Sequence, residues 1–122
     1  EKLWKTGADL GQRIRAAITA NGLDGVVALY GAAPWTLLGF YDARSARKEA
    51  IKTLFMREML ARGVLIAASN NITYAHSAAD VDFVARAYEE AFARVSSELQ
   101  GGRLESELGC PPIMPVFSVR QV

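Results

Sequence analysis

The chain has 122 residues, 51% of them hydrophobic, and a net charge of +1 from 14 Lys and Arg against 13 Asp and Glu. That length holds a single domain, and the apolar content supplies a core for it. The near-neutral balance excludes a strongly basic nucleic-acid binder, the lone Cys110 excludes an internal disulfide framework, and no apolar run reaches the roughly 18–20 residues of a membrane span.

The first element predicted is a helix. Leu3, Leu10, Ile14 and Ala17 share one face, and Asn21-Gly22 ends it. Gly7 and Gly11 each weaken its interior by up to about 1 kcal/mol relative to Ala, and each leaves room for close packing against a neighbour, in or beyond this chain. Strands are expected at 26–30 and 35–41, joined by the loop Gly31-Ala32-Ala33-Pro34. A second helix is expected over 43–62, with Ile51, Leu54, Phe55, Met59 and Leu60 as its apolar stripe. Glu58 and Arg62 form an i, i+4 pair on it, and Gly63 stops it.

Residues 64–68 are continuously apolar and read as a buried strand. Ser69-Asn70-Asn71 reads as a polar turn, and 72–75 as a short alternating strand. Ser77 and Asp80 stand in capping-box spacing, with Asp in place of the usual Glu or Gln. The helix they open carries Val81, Val84, Tyr88, Ala91, Phe92, Val95 and Leu99 on one face and ends near Gly101-Gly102. Residues 103–122, with Pro111, Pro112 and Pro115, are expected to form an extended tail docked through Ile113, Met114, Val116 and Phe117. The expected fold is α+β in two layers. A small antiparallel or mixed sheet of three to four strands packs on three helices, with a domain at 1–102 and a tail at 103–122.

Little chemistry is visible in these residues. Gly22-Leu23-Asp24-Gly25 is too short to cradle a phosphate. A chain whose only histidine is His76 cannot build a histidine-rich metal site, so none is expected. Ser69 and Ser77 neighbour His76 in sequence, but Ser77 reads as a helix cap rather than a nucleophile. Nothing near Cys110 in sequence would lower its thiol pKa. Asp80 and Asp82 suit the positive end of a helix dipole. His76 reads either as a half-buried histidine bonding backbone or as one lining a pocket shared with another domain. Ser69, Asn70 and Asn71 read either as a solvated turn or as ligand-facing groups at a strand end.

Several passages taken together resemble a known family. Residues 54–65, Leu-Phe-Met-Arg-Glu-Met-Leu-Ala-Arg-Gly-Val-Leu, are similar to the helix-to-strand passage of class III aminotransferases, and among them to the glutamate-1-semialdehyde aminomutase group. Residues 72–82, Ile-Thr-Tyr-Ala-His-Ser-Ala-Ala-Asp-Val-Asp, resemble the segment that opens the family's last large helix. Trp4-Lys5-Thr6-Gly7-Ala8-Asp9-Leu10 resembles the helix that leaves its large domain, and Pro115-Val116-Phe117 the tail of its sugar-associated relatives. Thr73 stands where the family has Ser, and His76 matches its His. The gating Glu of the aminomutase loop has no counterpart, because Ser69-Asn70-Asn71 runs straight into Ile72-Thr73.

The resemblance implies the C-terminal small domain of a pyridoxal-phosphate enzyme, cut from a longer protein. Its partners would be an upstream large domain of the same chain and a second subunit in a homodimer. Its substrate would be an amino acid or amino sugar, and its compartment the cytoplasm, with no nucleic acid or membrane involved. Lys2, Lys5, Lys48 and Lys52 all fall on predicted helices, so none suits a Schiff base, and the domain alone is expected to be inactive. Ser69, Asn70, Asn71, Thr73 and His76 would line the substrate pocket of the whole enzyme. The missing Glu leaves transaminase and mutase chemistry both open. The competing expectation is a stand-alone α+β module that binds a ligand or dimerises without catalysis.

Overall fold

A computed structural model describes residues 1–66, 69–71 and 76–114. In chain order it contains α1 (Lys2–Ala20), β1 (Val27–Ala32), β2 (Trp35–Phe40), α2 (Lys48–Ala61), β3 (Ser69–Asn71), α3 (Ala78–Gln100) and α4 (Leu104–Glu107). The arrangement is α+β. The sheet is an antiparallel β1–β2 hairpin, and the three-residue β3 adds antiparallel to the other edge of β2. Among the described residues the sheet is thus a hairpin with one three-residue addition, at the small end of the expected three to four strands.

Alternation along the hairpin decides which face meets the helices. Val27, Leu29, Thr36 and Leu38 are buried, whereas Tyr30, Trp35 and Leu37 are exposed. On the buried side, Leu10, Ile14, Ala17 and Ile18 of α1 join Ile51, Leu54, Phe55 and Met59 of α2 and Tyr88, Ala91, Phe92 and Val95 of α3. The Phe55 ring is the hub, with centroids 5.1 Å from Phe92 and 5.5 Å from both Tyr88 and Phe40. Such offset and tilted ring pairs add to area burial.

α1 runs through both of its glycines, and at Gly7 the neighbouring backbone requires a residue without a side chain. Gly7 packs directly on the Ala33–Pro34 backbone of the hairpin turn, so its partner lies within the chain. Asn21 closes the helix by donating its side-chain amide to the Ala17 carbonyl, and Gly22 takes the left-handed conformation beyond it.

Several expectations differ from the structure. α2 starts at Lys48 rather than near 43, because residues 43–46 form a turn in which the Ala43 N–H donates to the Ala46 carbonyl. Asp42 Oδ1 then accepts the Lys48 N–H at the helix start. Leu60, placed in the apolar stripe, is 59% exposed. Residues 64–66 are not strand, and Leu65 is 86% exposed. Ser69-Asn70-Asn71 is strand rather than turn, with Ser69 opposite Leu37 and Asn71 opposite Trp35.

The stretch read as an extended tail opens instead with the helical turn α4. Its Leu104, together with Leu108, is buried in the core. Residues 67–68, the strand expected at 72–75, and 115–122 with Val116 and Phe117 lie outside the described residues.

Candidate functional site

The polar residues singled out from sequence lie on β3 and at the start of α3. Asn70, flanked by Thr36 on β2 and Tyr88 on α3, faces the core. Its amide N–H donates to Thr36 Oγ1 at 3.2 Å, and its Oδ1 accepts the Tyr88 hydroxyl at 2.8 Å. Both hydrogen-bonding ends of the amide are thereby engaged, which removes the desolvation penalty a buried amide otherwise carries. Burial pushes the Tyr88 hydroxyl pKa well above its ordinary value. Asn70 thus joins three elements from inside. Ser69 and Asn71 contribute backbone pairing to β2, and Thr73 lies outside the described residues.

His76 is half-buried immediately before α3. The capping box expected at Ser77 and Asp80 is formed. The Asp80 N–H donates to Ser77 Oγ at 3.1 Å, while Asp80 Oδ2 accepts the Ser77 N–H at 2.8 Å and its hydroxyl at 2.9 Å. These bonds, with the charge of His76 as a smaller contribution, hold the Asp80 carboxyl below its usual range. The Ser77 hydroxyl is therefore directed to Asp80 as a helix cap.

Asp82 has a role that spacing alone did not disclose. Its Oδ1 accepts Arg13 at 2.8 Å and its Oδ2 pairs with Arg86 at 3.1 Å, while Arg13 also reaches Glu89 at 3.1 Å. The hydrogen bond from Arg13 lowers the Asp82 carboxyl pKa. The group ties the solvent side of α1 to the first turns of α3, and all four side chains are at least a third exposed. It is thus a modest, screened clamp.

Two surface features were missed. The sheet face away from the helices is aromatic and uncovered, with Tyr30, Trp35, Leu37 and Tyr41 between 45% and 60% exposed. The Tyr30 and Tyr41 hydroxyls bond to each other, and the Tyr30 ring lies over Gly39, where a Cβ would meet it at 2.7 Å. The available signal was a strand with Trp and Leu alternating with Thr and Leu, apolar toward both sides. The second feature is a groove of 330 Å³ at the start of α2, lined by Leu38, Phe40, Lys48, Glu49, Lys52, Ile113 and Met114.

Among the described residues, no group of three or more His, Cys, Asp or Glu could hold a metal ion. No helix there is long and apolar enough to cross a membrane. No family model, curated protein or solved structure matches this chain.

Proposed function

We propose that the chain is the small domain of a pyridoxal-phosphate-dependent enzyme of the class III aminotransferase type, closing over a substrate held by a large domain of the parent protein. The observation that carries this reading is the uncovered aromatic sheet face of Tyr30, Trp35, Leu37 and Tyr41. A sheet that is apolar on both faces suits burial on both, and contiguous exposed apolar patches on soluble domains mark interaction surfaces. The family-like passages at 54–65 and 72–82 precede and follow β3 in the chain.

The cofactor does not fit this chain by itself. Its only lysines are Lys2, Lys5, Lys48 and Lys52. They lie on α1 and α2 and none is buried, whereas a lysine that forms a Schiff base with a carbonyl is activated by desolvation or by a neighbouring cation. The Schiff-base lysine and the phosphate cradle are assigned to the large domain, and no chemical step is assigned here. The proposed contribution of this chain is exclusion of water from the substrate by the segment at 69–76, anchored from behind by Asn70.

The test is made on the parent protein, expressed from its complete coding sequence. The expected result is visible cofactor absorbance and amino transfer from an amino acid or amino sugar. Trp35→Ser and Leu37→Ser, exposed here, should lower that activity while leaving the isolated domain's melting temperature unchanged. A parent protein with no cofactor absorbance overturns the proposal. Dimerisation of the isolated chain through the same face, abolished by Trp35→Ser, would favour the stand-alone module.

A further inference from the structure

We propose that the groove at the start of α2 binds a monocarboxylate with an apolar tail. This assignment is independent of the function proposed above. The floor and one wall are apolar, formed by Leu38 and Phe40 of β2 and by Ile113 and Met114. Ile113 is fixed there because its N–H donates to Thr53 Oγ1 at 2.8 Å, so the wall is held to α2 by a specific bond. Ile113 and Met114 are nonetheless 52% and 57% exposed, leaving apolar surface for a ligand to cover.

The rim supplies the charge. Lys48 and Lys52 stand one helical turn apart, both border the groove, and neither ammonium takes part in an ion pair or hydrogen bond among the described residues. The other cations nearby are already engaged. Arg47 is held by Glu105 at 2.7 Å, and Arg57 donates to the Leu108 carbonyl at 2.8 Å.

Two carboxylates limit what the rim accepts. Glu49 lines the groove itself, and Asp42 accepts the Lys48 backbone N–H beside it. With Asp42 beside Glu49, the two lysines face two carboxylates, so the rim offers two local ammonium groups without excess charge, which suits one carboxylate better than a phosphate dianion or a polyanion. The volume of 330 Å³ lies at the small end of the range for ligand sites. An acyl chain along Leu38, Phe40, Ile113 and Met114, with its carboxylate between Lys48 and Lys52, uses every lining group of the groove except Glu49.

Calorimetric titration of the full chain with octanoate tests this, with 1-octanol and acetate as the tail-only and charge-only probes. Octanoate should bind at one site, and both other probes should bind much more weakly. Lys48→Gln with Lys52→Gln should weaken octanoate by roughly tenfold, the size expected for two partly exposed charge contacts, without affecting 1-octanol. Ile113→Ser should weaken both. Should the double variant unfold, raising the ionic strength on the native chain gives the same information, since it should weaken octanoate and spare 1-octanol. Equal binding of octanoate and 1-octanol, no saturable octanoate binding, or octanoate binding indifferent to both salt and the lysines overturns the assignment.

Discussion

Gly7 lies so close to Ala33 that a Cβ built on it would sit 1.9 Å from the Ala33 carbonyl oxygen, with the Pro34 nitrogen at 2.9 Å. Both obstacles are backbone, so neither can swing aside. Gly7→Ala should therefore separate α1 from the hairpin turn and cost about 3 kcal/mol, the upper range for overpacking. Gly11 gives the opposite expectation. Its nearest neighbours are the mobile end of Arg15 at 3.4 Å and Leu29 Cδ2 at 3.5 Å. Gly11→Ala should stabilise by up to about 1 kcal/mol through helix propensity. Urea unfolding of the two variants measures both, and effects of the same sign would contradict this seating of α1.

Tyr88→Phe removes the hydroxyl that Asn70 Oδ1 accepts and leaves that oxygen buried without it. The expected loss is about 1–3 kcal/mol, the penalty for an unsatisfied buried polar group. Tyr88→Phe combined with Asn70→Leu should cost less than the sum of the single changes. A double-mutant cycle reads the coupling.

Alkaline stability depends on the same hydroxyl. Burial raises the folded pKa of Tyr88 above the ordinary value near 10, so the folded state holds its proton more tightly than the unfolded chain does. The contribution is fully present below the unfolded pKa and is lost as pH rises from there toward the folded value. Stability of the native chain should therefore fall more steeply above about pH 10 than that of Tyr88→Phe. Parallel curves would place the hydroxyl in a solvated environment.

At the acid end the sign reverses. Asp80 and Asp82 have carboxyl pKa values held down by Ser77 and Arg13 respectively. Their contribution is present above the ordinary carboxylate pKa near 4 and disappears as pH falls through the folded values. Ser77→Ala should cost about 1 kcal/mol at neutral pH through the lost cap, and should flatten the acid limb. Asp82→Asn should flatten it as well, with an effect that shrinks as salt is added. Melting temperatures between pH 2 and 7, at low and high salt, test both.

Elements whose signals are local were legible in the sequence. The Ser77–Asp80 box lies within four residues, and the apolar face of α3 through Tyr88, Phe92 and Val95 repeats over several turns, so each could be read without a partner. The candidate site was less legible because its chemistry depends on distant pairing. Ser-Asn-Asn carries turn residues, yet pairing with β2 at Leu37, Thr36 and Trp35 makes it strand and turns Asn70 inward. The apolar run beginning at Val64 has the composition of a buried strand, but composition does not say what covers it, and Leu65 is exposed. Gly7 was visible as a site of close packing, while its partner, 26 residues away, was not.

Asn70 bears on the alignment of β3 as well as on its stability. Side chains alternate across a strand, so a slip of β3 by one residue along β2 would turn Asn70 out of the core and leave the hydroxyls of Thr36 and Tyr88 without it. Only one alignment lets a single amide meet a hydroxyl on β2 and another on α3. The amide serves as a registration mark for a strand too short to index itself by backbone pairing.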